Sequence, residues 1–421
     1  MENEVVFMQF NQQATVERPY NDTYWQRLDA DIERLKKRSR RQFLTAAGGL
    51  IGGTAVLLGG LAWASDPNLL RFPGTANCAN NTQALVGQAD DALGAVSGEL
   101  TTLKVCQLNK SINFFAIYVA QQKGYFTAQG LNIPTPPLLQ VGPKLVSALE
   151  SGQYDLANGV ITDAFSWARV NSQARIIGAV MNGYVVDVVV SNRFEQEMQV
   201  SAASSLTDKI NALRGKTIGI TGAGTGTQAL LTYLFRQVGL DASKETKQVS
   251  LGSNNSLALT YLREGRVDAL SFFSPIGQTA EAEGIGDIFI SPVRGDVPGL
   301  RGDVHGIIYT KQSTIDAKPQ AIAAYIRALA QAELFIKNNP VEAKTLLNKY
   351  LKLSVDITNA VYTATVSSIA TTPVISLASY NTAGQFHVNA GLVTNVPSYS
   401  QLVAASTIDS ALGLSTNPCQ P

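Results

Sequence analysis

The stretch Thr221-Gly222-Ala223-Gly224-Thr225-Gly226-Thr227-Gln228 packs three glycines and three hydroxyls into eight residues, between a strand-like and a helix-like run. Glycines let the backbone approach a ligand closely. Free N–H groups at a helix start, aided by the helix dipole, favour an anion. Gly224 and Gly226 would supply the close approach, and Thr225 and Thr227 side-chain donors. The spacing is not G-x-G-x-x-G and no Gly-Lys-Ser/Thr follows, so the stretch argues weakly for a nucleotide. An ordinary tight turn is the competing reading.

A second candidate is Asn109-Lys110-Ser111-Ile112-Asn113-Phe114-Phe115, which follows the first predicted strand. Ligands of open α/β sheets gather at the carboxyl ends of strands, beside helix starts. There Asn109, Ser111 and Asn113 offer donors and Phe114 an aromatic wall, with core packing as the alternative for the phenylalanines. Thr162 and Asp163 stand at another strand-to-helix junction, as helix N-cap or as ligand contacts. Gln140, Asn254, Phe273 and Ser274 each follow a predicted strand, and Tyr184 follows a glycine near a domain junction. All five are expected wall positions. Of the two histidines of the chain, His387 reads as structural, and His305, just ahead of the strand expected from Gly306, reads as a structural histidine or a ligand contact.

Little here could run a reaction. The three cysteines, Cys78, Cys106 and Cys419, form no C-x-x-C or Cys/His cluster, so no metal site is expected. No G-x-S-x-G elbow occurs, and two histidines leave little choice of a general base. The expectation is a protein without catalytic residues or a cofactor.

The elements that would hold these loops alternate. Strands are expected at Leu103–Leu108, Tyr154–Val160, Arg175–Met181 and Tyr184–Val190, with helices at 114–122, 143–150 and 163–170. Residues 134–140 read as extended. After the polar stretch 201–208 the pattern resumes, with strands at 216–221, 248–251 and 267–273 and helices at 226–238 and 257–264. A strand from Gly306 then leads into helices at 320–338, 341–350, 357–366 and 382–392. This alternation argues an α/β architecture with largely parallel sheets. One segment echoes another: Leu149-Glu150-Ser151-Gly152-Gln153-Tyr154-Asp155-Leu156-Ala157 and Leu262-Arg263-Glu264-Gly265-Arg266-Val267-Asp268-Ala269-Leu270. Each reads as a helix end, a glycine free to take φ > 0, and a strand led by Asp. Either the turn is a common one met twice, or two similar α/β units lie side by side and form a cleft, where small ligands bind.

The amino-terminal part reads as an address. Arg40-Arg41-Gln42-Phe43-Leu44 precedes a glycine-rich apolar run, 44–61, and then Ala62-Trp63-Ala64, the layout of an export signal. The arginine pair resembles the twin-arginine signal of bacteria and implies the twin-arginine translocase as a partner. The segment ahead of it is long for such a signal. Cleavage after Ala64 would release the protein outside the cytoplasm; retention would tether it through 44–61. Residues 65–100 read as a linker. The remainder is charge-balanced within a chain of 33 basic and 32 acidic side chains, and no polybasic patch points to nucleic acid. Cys78 and Cys419 could bridge in an oxidising compartment.

From Leu103 to about Gly413 the chain resembles the periplasmic substrate-binding proteins of ABC transporters. The branch is the one serving nitrate, sulfonate, taurine and thiamine-precursor pyrimidines. The resemblance rests on Ala120-Gln121-Gln122-Lys123-Gly124-Tyr125-Phe126, on both echo segments, and on Leu213-Arg214-Gly215-Lys216-Thr217-Ile218-Gly219. It implies a two-lobed, type II periplasmic-binding-protein-like fold with mixed sheets flanked by helices and a ligand cleft between lobes. Lobe one would be 101–195 with 301–421, lobe two 196–300, after 1–64 as signal. The implied function is the exported solute-binding component of an ABC importer, with a small-molecule solute and an inner-membrane ABC permease as partners. A membrane-tethered ligand sensor is the alternative. A thiamine-pyrimidine synthase-like enzyme is the lesser one, since that enzyme's cysteine-rich iron motif is missing.

Overall fold

Leu103, Val105, Cys106 and Leu108 are all buried, because the short strand they span is covered on both faces. Strands Leu156–Val160, Val186–Ser191 and Ala269–Phe273 are likewise buried at every residue. The structure, a computed structural model, describes residues 99–414. The export signal, the 65–98 segment, Cys78 and Cys419 therefore lie outside the described residues.

Two sheets organise the chain. The first has the order β2-β4-β11-β5, built from β2 (Val105–Gln107), β4 (Leu156–Val160), β11 (Gly306–Lys311) and β5 (Ala174–Met181). The second has the order β10-β6-β9-β7-β8, from β10 (Gly286–Ile290), β6 (Val186–Ser191), β9 (Ala269–Phe273), β7 (Thr217–Ile220) and β8 (Lys247–Ser250). A two-residue pair, β1 (Thr101–Thr102) with β3 (Leu131–Asn132), lies apart from both.

Each sheet is parallel apart from one strand. β11 runs antiparallel to β4 and β5, and β6 runs antiparallel to β9 and β10. These are the strands by which the chain enters each sheet from the other, over 182–185 and 291–305; β6 thus lies in the second sheet, ahead of the lobe bound expected at 195. A chain arriving from the other lobe enters from the cleft side, so it must run against its neighbours. The sheets are thus largely parallel and mixed, as expected, while which strand is reversed could not be read because residue pattern alone carries no strand direction. The second sheet is covered on both faces, and its alternation shows it. Val186, Val188 and Val190 join one apolar cluster while Val189, one residue out of phase, joins another.

The echo is structural. Helices Gly142–Glu150 and Asn255–Arg263 end in Gly152 at φ +72° and Gly265 at φ +67°. The Asp that follows plays one part in both lobes. Lys104 N donates to Asp155 Oδ2 at 2.9 Å, and Thr217 N to Asp268 Oδ2 at 2.8 Å, each across 51 residues. A carboxylate thus pins the start of the neighbouring parallel strand in each lobe.

Several elements escape the sequence pattern. Helix Leu206–Ala212 begins within the polar stretch 201–208, where no element was expected, with Ser205 accepting from Asp208 N. Helices Asn192–Met198 and Ile276–Ala282, and strand β10, are too short to declare a period. Residues 134–140 are extended but make only a single bridge, Leu138 to Gln107. The late helix starts at Leu377 and ends at Asn389, earlier than expected, because Ser376 caps it through Ser379 N. Among the described residues no helix is long and apolar enough to cross a membrane.

Candidate functional site

The carboxyl ends of β2, β4 and β5 on one side, and of β7 and β9 on the other, bring the expected loops together. On the first-lobe side Gln107 Nε2 donates to Asn109 O at 2.7 Å, which turns the loop inward. Asn109 Oδ1, Ser111 Oγ and both amide atoms of Asn113 are then buried without a hydrogen-bond partner. Phe114 and Phe115 are fully buried in the first lobe's core. The structure thus puts Phe114 into packing, where it closes the short turn Ile112–Phe114 that leads into helix Phe115–Gln122.

On the second-lobe side the glycine-threonine loop leads into helix Gly226–Gln237. Its hydroxyls bond one another. Thr221 N donates to Thr227 Oγ1 at 3.0 Å, and Thr221 Oγ1 lies 3.0 Å from Thr225 Oγ1 and 2.8 Å from Thr227 Oγ1. Thr225 Oγ1 donates to Gly222 O at 2.7 Å. Gly224, at φ +72°, turns the chain and gives its N–H to Gln228 Oε1. The expected donors Thr225 and Thr227 are therefore engaged in shaping the loop. What the loop presents is the first turn of the helix at Gly226.

Two side chains stand over that turn. Tyr184 Oη donates to Gly226 O at 2.6 Å, and a Cβ on Gly226 would lie 2.9 Å from that oxygen and 3.7 Å from the His305 ring. His305 is fixed by its backbone: its N donates to Met181 O and its O accepts from Ile161 N, tying it to the ends of β5 and β4. Its ring meets Tyr184 edge-on at 4.4 Å and Phe273 at 5.7 Å. Both ring nitrogens are buried and unpartnered. Burial, then the proximity of His387, pushes its imidazole down to about 3, so the ring is neutral at neutral pH. Asp303, two residues earlier, is fully buried. Beyond the N–H of its own neighbour Val304, its carboxyl has no partner, and burial pushes it well above the usual carboxylate range. It is close enough to Tyr184 to raise that phenol further.

The other expected residues divide. Thr162 meets His387, with Oγ1 2.7 Å from Nε2. His387 Nδ1 lies 2.7 Å from Ala383 O. A carbonyl only accepts, so Nδ1 carries the hydrogen and Nε2 accepts from Thr162. The helix here begins at Ile161, ahead of both proposed caps, and Asp163 reaches back to accept from Val160 N at 3.3 Å. Its carboxyl lies beside Gly142 and Gly159, and burial raises it to about 7. Asn254 caps helix Asn255–Arg263 through Leu257 N, and Ser274 Oγ donates to Gln278 Oε1. Gln140, at φ +69°, sits on the rim, where its O accepts from Ser253 Oγ of the other lobe at 3.2 Å. A groove of about 550 Å³ opens there, lined by Gln140 and residues 252–256.

Helix Leu377–Asn389 closes the back of this arrangement. Phe386 packs on Tyr184 at 4.7 Å and Tyr233 at 5.1 Å, within the second lobe's apolar cluster. The adjacent His387 bonds the first lobe, and Arg236 Nη1 donates to Asn389 O at 2.6 Å. Asp303 and this helix tip were missed from sequence, and His305 was weighed there without being placed in the site. The legible signal was His305 itself, a rare histidine directly ahead of the returning strand. Among the described residues no cluster of His, Cys, Asp and Glu could hold a metal, and Cys106 is a buried free thiol held up to about 12 by burial.

No curated protein matches the sequence. Among solved structures, one from Bordetella bronchiseptica RB50 aligns with a TM-score of 0.63 at 21% identity, over 74% of this chain and 97% of that one. The alkanesulfonate-binding protein SsuA of Xanthomonas axonopodis pv. citri, bound to MOPS, gives 0.56 at 18% identity over 73% and 100%. The periplasmic nitrate-binding protein NrtA of Synechocystis PCC 6803 gives 0.59 at 13% over 76% and 90%. At such identities the shared property is the fold, the two-lobed periplasmic-binding-protein fold. The sequence model of the NMT1-like family covers residues 101–350, and the chain belongs to that family.

Proposed function

We propose that the chain is the solute-binding component of an ABC importer, holding a small organic or anionic solute between its lobes and handing it to a membrane permease. The observation that carries this reading is the buried, unpartnered polar set of Asn109, Ser111 and Asn113 at the carboxyl edge of the first sheet. Buried polar groups are hydrogen-bonded almost without exception, so such a set calls for a partner the chain does not supply. The first turn of helix Gly226–Gln237 adds backbone N–H groups and a dipole suited to an acceptor. Alkanesulfonate and nitrate binding by fold neighbours supports solutes of that size. The lobes would close on the ligand, a population shift about the two crossings. In this reading the protein works outside the cytoplasm, exported through the arginine-pair signal and either freed or tethered by 44–61, and it performs no catalysis.

A thermal-shift screen tests this, with nitrate, taurine, alkanesulfonates, hydroxymethylpyrimidine and riboflavin. A true ligand at a hundred times its Kd should add about 2.7 kcal/mol to unfolding. A flat response to all of them sinks the solute assignment, and chemical turnover of any one sinks the binding-only role.

A further inference from the structure

The unbonded side chains of the first-lobe wall stand on a backbone that is itself bonded. Leu108 N donates to Asn158 O at 2.9 Å, Asn109 O accepts from Gln107 Nε2 at 2.7 Å, and Ser111 O accepts from Phe114 N at 3.2 Å. Leu108 O accepts from Gln140 N at 2.7 Å, so the loop starts beside the groove of about 550 Å³ that Gln140 lines. A buried polar network anchors this backbone. Gln107 Nε2 also donates to Tyr350 Oη at 3.3 Å, and Gln107 Oε1 accepts from Asn158 Nδ2 at 3.5 Å. Asn158 Oδ1 in turn accepts from Tyr325 Oη at 3.0 Å. Gln107, Asn158, Tyr325 and Tyr350 are all buried. Tyr350, on helix Pro340–Leu351, also takes a backbone hydrogen bond from Ser111, and Lys110 Nζ lies 5.4 Å from its ring centre. Tyr118, stacked at 4.7 Å, and Phe115, at 6.1 Å, hold that ring in place. An amide whose hydrogens and carbonyl are all engaged cannot turn without losing bonds, and a satisfied buried network fixes the geometry around it.

On the reading that the chain binds a solute, we propose that Tyr350 and Gln107 are positioning residues, which hold the backbone of 109–113 so that the side chains of Asn109, Ser111 and Asn113 face the solute. Neither touches the solute itself. The loop spends its backbone groups on the network, and its unbonded side-chain atoms are what it has left to offer.

The test is Tyr350→Phe, which keeps the stacked ring and removes the oxygen that Gln107 and Ser111 share. In the ligand-free full chain, hydrogen exchange of the 107–115 segment should speed at least about tenfold, while strands β6 and β9 stay within about twofold. Calorimetry then uses nitrate, taurine, ethanesulfonate, hydroxymethylpyrimidine and riboflavin. The tightest-bound of these five should bind Tyr350→Phe at least about fivefold more weakly. Ser111→Ala should also weaken it, and the double variant should lose less than the product of the two single losses, because Tyr350 acts through the loop that carries Ser111. If Tyr350→Phe does not fold, Gln107→Met replaces it, with the same exchange and the same coupling expected. Faster exchange throughout the chain, or none in the loop, makes the hydroxyl merely structural and overturns the positioning role. Unchanged affinity, or losses that multiply, also overturns it and leaves solute binding standing. No binding of any of the five overturns the solute reading and the positioning role together.

Discussion

The two lobes share a scaffold and differ in what they turn toward each other. In both, a positive-φ glycine ends a helix and an Asp carboxylate pins the next parallel strand across 51 residues. In the second lobe, the cleft-facing Thr221, Thr225 and Thr227 hydroxyls bond one another and the loop's own backbone. In the first lobe, Asn109, Ser111 and Asn113 leave their side-chain groups unbonded. Similar frames thus carry one wall whose shape is settled in advance and one whose polar groups wait for a partner. On the solute-binding reading, the second lobe would contribute a rigid face and the first the selectivity.

Substitutions should separate the two walls. The largest effect is expected at Thr227, fully buried at the centre of the second-lobe network. Thr227→Val leaves the Thr221 N–H buried without its acceptor and should cost about 2 kcal/mol in urea unfolding. An unchanged midpoint would mean the network is incidental.

The next effect depends on pH and concerns His387, which ties the first-lobe wall to helix Leu377–Asn389. Burial holds its pKa near 4 against an ordinary 6.5. A histidine depressed on folding contributes stability above its unfolded pKa and loses it as the pH falls toward the folded one. Wild type minus His387→Gln in unfolding free energy should therefore shrink by about 1.4 kcal/mol for each unit between about pH 6 and about pH 5. A constant difference would show that the ring is charged in the folded protein.

The smallest stability effect is expected at Ser111. Ser111→Ala removes a hydroxyl that bonds nothing, so the unfolding midpoint should move by under about 0.5 kcal/mol while affinity for the bound solute drops. A large stability loss with unchanged affinity would reverse the assignment of the two walls.

The sequence made the frame visible and the walls only half so. The strand-end rule located both loops, and the echo located both helix-to-strand turns. Residue type could not tell whether the hydroxyls of Thr225 and Thr227 bond a ligand or each other, because that depends on loop geometry. Asn254 looked like a wall residue and is a helix cap, a role its type equally favours. The sequence left His305 between a structural role and a ligand contact, since its neighbours Tyr184 and Phe273 come from distant parts of the chain. Strand β10 is five residues long and carries no periodicity that could announce it.

Helix Leu377–Asn389 bears on how fast such a protein can exchange what it holds. The chain on either side of it is fastened to the first lobe, by the bridge of Ile369 to Met181 and by Ala404 N donating to Ile176 O. Its Phe386, however, lies in the second lobe's core. A door hung on two pins swings freely, but a third fastening away from the axis must let go before it turns. On the solute-binding reading, separating the lobes would then need Phe386 to leave Tyr184 and Tyr233 and Asn389 O to leave Arg236, besides bending at the two crossings.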